Sequence, residues 1–326
     1  MKRRKLLSIR GLKTYYFVDG GTVKALDGVD LDIGRGEVVG LVGESGSGKS
    51  TVALSIMRLI REPGKIVGGD IIFKNKNLLK LSETEMSKIR GKEIAICFQD
   101  PYSYLNPLKK IGEQIAEVIR LHQHLSKKEA RKKTLELLQF MRISSPEIVA
   151  DYFPHQISGG MRQRVCIAIA LSCDPSLIIL DEPTSSLDVT VQAQILGLLK
   201  KIKKEMDCAM LFITHDLGII ADICDRVYVL YAGKNVEEAE VFEFFENPLH
   251  PYSRGLLKST LSIEEFRKKL ETMPGFVPNG INLPKGCYFS PRCAKAMSIC
   301  RERDPPRTRH NPDHYVYCWL YGRGSN

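Results

Sequence analysis

Val38-Val39-Gly40-Leu41-Val42-Gly43-Glu44-Ser45-Gly46-Ser47-Gly48-Lys49-Ser50-Thr51 joins an apolar run to a glycine-rich loop, and a helical apolar pattern continues from Val52 to Ile60. Five consecutive apolar residues predict a strand buried on both faces of a parallel sheet. Gly43, Gly48, Lys49 and Ser50 then meet the pattern G-x-x-x-x-G-K-[ST]. The glycines let the loop wrap so that successive backbone N–H groups face phosphate oxygens. The following helix start adds partial positive charge. Lys49 is spaced to reach the β- and γ-phosphates, and the Ser50 hydroxyl to ligate Mg²⁺. The bland alternative is an ordinary glycine turn, but a strand before and a helix after favour a nucleoside triphosphate site.

Outward from this loop, the 326 residues allow one large domain with an appendage, or two modest ones. A content of 43% hydrophobic and 26% charged residues is that of a globular protein. No apolar run approaches the roughly 20 residues that a membrane-spanning helix needs. Met1-Lys2-Arg3-Arg4-Lys5 has no apolar stretch behind it, so it reads as a solvated basic tail rather than a signal peptide. The net charge of +10 is spread along the chain without any nucleic-acid reading motif, so no nucleic-acid partner is expected. Triphosphates and an anionic membrane surface account for the excess equally well.

From Leu6 to Asp32 the pattern is of short strands around an Asp19-Gly20-Gly21 turn. Tyr15, Tyr16 and Phe17 precede that turn; one could stack on a purine, or all three could pack a sheet edge, and spacing does not decide. Further strands are expected at Gly64–Phe73, 94–98, 177–180 and 209–214. Helices are expected at 111–122, 127–141 and Val189–Glu205, with no strand signal between Gly112 and Phe153. Ser158-Gly159-Gly160 forms a second helix start with uncovered N–H groups, suited to an anion. Asp181 and Glu182 end one strand and His215 follows another. Carboxylates there suit a Mg²⁺ partner and then a base for water. Ligands of open α/β folds bind at strand C-termini.

With these motifs together, the chain resembles the ATP-binding subunits of ABC transporters. Ser158-Gly159-Gly160-Met161-Arg162-Gln163 separates that family from other P-loop ATPases, although Ile157 stands where leucine is usual. The resemblance implies an α/β fold, a P-loop ABC ATPase core with a helical subdomain at about 100–165. It implies that Gly43, Ser45, Gly46, Ser47, Gly48, Lys49, Ser50 and Thr51 hold ATP. Tyr16 falls at the adenine-stacking position. Gln99 senses Mg²⁺ and the attacking water, Asp181 is the Mg²⁺-side carboxylate, Glu182 the general base and His215 the γ-phosphate contact. Ser158, Gly159 and Gly160 would meet the ATP of a second, head-to-tail subunit, and Ser186-Leu187-Asp188 would touch it.

Asn247-Pro248-Leu249-His250-Pro251-Tyr252-Ser253-Arg254 resembles the extension of dipeptide and oligopeptide importer subunits. This places an ATPase domain at 1–246 and an irregular extension at 247–326. Implied partners are a second ATPase subunit, two membrane permease subunits and, indirectly, an extracytoplasmic binding protein. The implied location is the cytoplasmic face of the membrane, with peptides as the default substrate and nickel or sugars as alternatives. Ribosome-bound relatives carry two cassettes per chain, repair ATPases a long coiled coil, and fused exporters apolar spans; none of these features is present.

Nine cysteines divide into two groups. Cys97, Cys166, Cys173, Cys208 and Cys224 lie in apolar patterns and read as core residues. Cys287, Cys293, Cys300 and Cys318 crowd the tail at intervals of 5, 6 and 17 residues. They lack the tight pair usual for zinc. Their spacing, and the subfamily resembled, point to a [4Fe–4S] cluster, with zinc or unligated thiols as alternatives and His310 or His314 as substitute ligands.

Overall fold

The computed structural model describes residues 4–185, 187–259 and 273–322. The chain divides into two compact units. The first comprises Lys5–Ile33, Val38–Leu79 and Ile213–Asn326; the second comprises Met1–Arg4, Gly34–Glu37 and Lys80–Phe212.

The first unit opens with β1 (Lys5–Val18) and β2 (Gly21–Gly34), two 14-residue strands where short ones are expected. β3 (Val38–Val42) follows with every residue buried, and α1 starts at Lys49 and runs to Ile56. β4 (Gly64–Phe73) and β5 (Lys76–Asn77) complete a sheet of order β2-β1-β4-β5. β1 and β4 are antiparallel, with Ile9 opposite Ile71.

The second unit holds α2 (Glu83–Ile89), β6 (Ile94–Cys97), α3 (Pro101–Tyr104), α4 (Ile111–Gln123), α5 (Lys127–Phe140) and α6 (Pro146–Val149). It continues with α7 (Gly159–Leu171), β7 (Leu177–Asp181), α8 (Val189–Glu205) and β8 (Ala209–Ile213). Its strands lie in the order β8-β7-β6, and all their residues are buried. β6 and β7 are parallel, with Ile96 opposite Ile179, as the continuous apolar runs require. The stretch from Gly112 to Phe153 is helical, as expected. Ser126 caps α5 in a box with Glu129, and Ser82 caps α2 in the same way with Glu85.

The chain returns to the first unit through α9 (Leu217–Ile223), β9 (Arg226–Tyr231), β10 (Lys234–Glu240), α10 (Val241–Glu246) and α11 (Pro251–Ser259). It ends in α12 (Ser298–Glu302), β11 (Arg307–Asn311) and β12 (His314–Tyr317). These strands run β11-β12-β10-β9-β3, with β9 parallel to β3. The extension is therefore less irregular than its prolines suggest, because a hairpin joins the sheet edge along β10. Residues beyond 246 group with the P-loop unit.

Candidate nucleotide site and cysteine cavity

In the first unit the loop leaves β3 at Gly43, whose φ is 154°. A Cβ there would stand 2.2 Å from the Leu230 carbonyl oxygen, so only glycine fits. Ser47 and Lys49 are buried; Lys49 Nζ donates to the Gly43 oxygen at 2.8 Å and to the Glu44 oxygen at 3.0 Å. The Ser47 hydroxyl is buried with no partner, a polar atom left to a ligand. Gly48 caps α1, whose first helical residues are Lys49, Ser50 and Thr51. An anion at Ser45, Gly46 and Ser47 would thus face a helix N-terminus and a buried ammonium. His215 belongs to the same neighbourhood: the Thr214 N–H bonds the Leu41 oxygen at 3.3 Å, which sets His215 at the end of β3 from which the loop departs. Asp216 caps α9 immediately after it.

Alternation along β1 separates the tyrosines. The Tyr15 hydroxyl is held by Asp27 at 2.7 Å. Tyr16 shares the other face with Thr14, whose hydroxyl meets Ser55 of α1 at 2.9 Å. Tyr16 also packs against Gly64, where a Cβ would come within 2.5 Å of its ring. Tyr16 therefore stands on the α1 side of the sheet, and Tyr15 is engaged elsewhere.

In the second unit Gln99 Nε2 donates to Glu182 Oε2 at 3.1 Å. Asp181 ends β7 buried, while Glu182 is half-buried with φ 47°, a left-handed conformation that aims its side chain off the strand. Ser158 accepts from the Met161 N–H at 3.3 Å and caps α7, as its sequence position predicts. Gly160 allows α8 to approach, since a Cβ would stand 2.5 Å from Val191. Asp188 caps α8, so Ser158, Gly159, Gly160 and Asp188 gather at adjacent helix starts. Ser186 lies outside the described residues. Arg162 of α7 stacks on the Tyr102 ring at 3.9 Å, and Gln163 touches Cys97 Sγ at 3.4 Å, which ties the start of α7 to the Gln99 segment. Ile157 is buried, where a leucine-for-isoleucine exchange conserves volume.

The expected metal centre is not present as a ready ligand set. Among the described residues, no group of three or more His, Cys, Asp or Glu is gathered to hold a metal ion. The four tail thiols instead line one cavity with His250, Phe289 and Trp319. Burial pushes Cys287 and Cys318 up to about 11, and Cys293 also upward. Cys318 sits with Leu249 and Val316. The Cys300 sulfur accepts the Met297 N–H at 3.5 Å. His314 is not a spare ligand, because Glu237 holds its Nε2 at 2.8 Å and Glu243 faces its Nδ1 at 3.3 Å. His310 faces His314 and Tyr321. The five other cysteines are buried core residues, as expected.

The residues that sequence reasoning missed are Glu44, Tyr252 and Arg292. Tyr252 Oη accepts the Glu44 N–H at 2.8 Å, and Arg292 Nη1 pairs with Glu44 Oε2 at 3.0 Å. The signals were that Glu44 lies within the quoted Val38–Thr51 stretch and Tyr252 within the quoted Asn247–Arg254 string; Arg292 had none.

Comparison with known proteins shows the family. The ABC transporter family matches residues 26–185, and the oligopeptide/dipeptide transporter C-terminal region matches residues 236–300. The oligopeptide transport ATP-binding protein AppD of Bacillus subtilis (strain 168) is 49% identical over 317 residues, covering 97% of each chain. The dipeptide transport ATP-binding protein DppD of the same organism is 44% identical, covering 97% of this chain and 95% of DppD. A solved dimer of the ATP-binding cassette MJ0796 with ADP and phosphate is 31% identical, with a TM-score of 0.66 over 72% of this chain and 98% of that one. With a relative 49% identical over 97% of each chain, this protein belongs to the ABC transporter ATP-binding subunits, with the C-terminal region of the oligopeptide/dipeptide type.

Proposed function

We propose that this chain is the ATP-hydrolysing motor subunit of a peptide importer, closing head-to-tail on ATP with a second such subunit to drive a membrane permease pair. The observation that carries the chemistry is the contact of Gln99 with Glu182 beside buried Asp181. It holds a carboxylate ready to orient and deprotonate water while the amide reports on the same water. In the P-loop unit, Lys49 and the loop N–H groups would neutralise the phosphates, His215 would contact the γ-phosphate and Tyr16 would stack on adenine. Ser50, Asp181 and Gln99 would hold Mg²⁺, which offsets phosphate charge. The capped Ser158-Gly159-Gly160 start and Asp188 suit the partner's ATP, a use consistent with the dimeric cassette relative.

Peptide as the cargo class rests on the tail match and on the names of the relatives. Among the described residues no helix is long and apolar enough to cross a membrane. The importer reading makes the permease a separate chain and this one a peripheral subunit at the cytoplasmic face. Tyr102, Leu108, Ile148 and Tyr152 are exposed on the second unit and suit a docking surface for it. Reconstitution with the permease pair and its extracytoplasmic binding protein tests the reading: peptides should stimulate ATP hydrolysis. Stimulation by nickel or oligosaccharide alone would replace the cargo, and co-purification with ribosomes the whole class.

For the four tail thiols the reading is a [4Fe–4S] cluster rather than a single zinc; it rests on their sequence spacing and on their lining one cavity, although they are not gathered as a ready ligand set. Such a cluster would cross-link a loop that has little core of its own. Anaerobic purification should give brown protein with about four irons per chain. A colourless preparation with stoichiometric zinc would show a tetrahedral site instead.

A further inference from the structure

Glu44, the residue after the first loop glycine, is held on every side. Its carbonyl accepts from Lys49 at 3.0 Å. Its N–H donates to Tyr252 Oη at 2.8 Å, and its carboxylate pairs with Arg292 at 3.0 Å. The last two come from the C-terminal extension, and both are enclosed: Tyr252 is 0% exposed and the Arg292 side chain 7%. Arg292 is fixed in turn by the Pro274 oxygen at 2.8 Å and the Tyr231 hydroxyl at 3.3 Å. Tyr231, Tyr252 and Phe289 pack ring against ring beneath it. Glu44 Oε1 is buried and has no partner, so without Arg292 this part-buried carboxylate would lose its charge compensation.

We propose that Arg292 and Tyr252 are positioning residues for ATP, a clamp by which the extension sets the loop peptide beside Lys49 in its phosphate-ready form. The neighbour of Arg292 in sequence is Cys293, and Phe289 and Cys293 both line the thiol cavity. The order of that cavity is therefore transmitted to the loop through a single turn of chain. This inference rests on the ATPase reading and adds a residue role to it.

The test is ATP binding and steady-state hydrolysis in the full-length chain, with Arg292→Ala, Tyr252→Phe and the exchange Glu44→Arg/Arg292→Glu. Arg254→Ala is the control, because Arg254 bonds Pro248 and Tyr321 in the extension without touching the loop. Arg292→Ala and Tyr252→Phe should raise both the Kd of a fluorescent ATP analogue and KM by about tenfold, with kcat within about twofold. The charge exchange should recover part of the loss, and Arg254→Ala should match the parent. Tyr252→Phe keeps the ring packing, so it reports on the hydrogen bond even if Arg292→Ala folds poorly. Unchanged affinity in Tyr252→Phe and Arg292→Ala, or losses equal to those of Arg254→Ala, would overturn the clamp. A parent chain that binds no nucleotide would instead overturn the ATPase reading.

Discussion

Glu182 is the proposed base at the scale of one residue. Its left-handed backbone and its contact with Gln99 hold a carboxylate just beyond the end of β7. Replacing it by glutamine keeps size and hydrogen bonding but removes the base. Glu182→Gln should therefore bind ATP normally while turnover falls by roughly 10²-fold or more; turnover at the parent rate would exclude it as the base. Lys49→Ala removes a buried charge from the phosphates, so ATP affinity itself should fall at least about tenfold. His314 gives a pH signature. Burial alone would lower its pKa, but hydrogen bonds and charge from Glu237 and Glu243 outweigh burial and hold it above its ordinary value. A raised folded pKa means that the stabilisation is full below about pH 6.5, the unfolded value, and is lost as pH rises through the folded one. The melting-temperature gap between parent and His314→Gln should accordingly be widest in mild acid and narrow towards alkaline pH.

Helix α7 shows how an element can serve fold and site together. Its C-terminal half, Val165–Leu171, is entirely buried, whereas its first turn starts at the Ser158 cap. The buried half anchors the helix, so the capped start can be offered to a ligand. Ser158→Ala removes one cap hydrogen bond and should cost about 1 kcal/mol of stability, read by urea denaturation. Because the proposed ligand is a partner subunit's ATP, parent hydrolysis should also rise more steeply than linearly with protein concentration. Full activity in a strictly monomeric preparation would contradict that dependence. β3 offers the opposite case, a strand with no freedom at all. Gly43→Ala would drive a methyl into the Leu230 carbonyl, and the chain should lose ATP binding together with stability.

At the scale of the molecule, the extension is structural to the P-loop unit rather than appended to it. Buried Glu237 of β10 accepts the N–H groups of Leu249 and His250, both at 2.8 Å, as well as His314. The extension's hairpin also closes the free edge of β10. Ending the chain at Glu246 would strand that carboxylate without donors and uncover the Tyr231 ring. A truncated protein should therefore melt well below the parent and aggregate through the bared strand edge. An unchanged melting temperature would show that the extension folds independently.

Much of this was legible in sequence, because local rules produced it. Continuous apolar runs marked β3, β6, β7 and β8, spacing marked the loop, and a serine before a glycine pair marked the start of α7. α2 was readable from its Ser82–Glu85 capping box and was passed over. The hairpin at Arg307–Tyr317 was not readable, because its strands are short and partly polar and pair only when β10 is present. Nor could spacing separate Tyr15 from Tyr16; strand alternation and the Tyr15–Asp27 bond do so. The sequence by itself determined the elements and the chemistry each can carry, since both depend on neighbours within a few positions. Only tertiary structure decided that Arg292 and Tyr252 hold Glu44, because those contacts join residues more than two hundred positions apart and no local pattern encodes them.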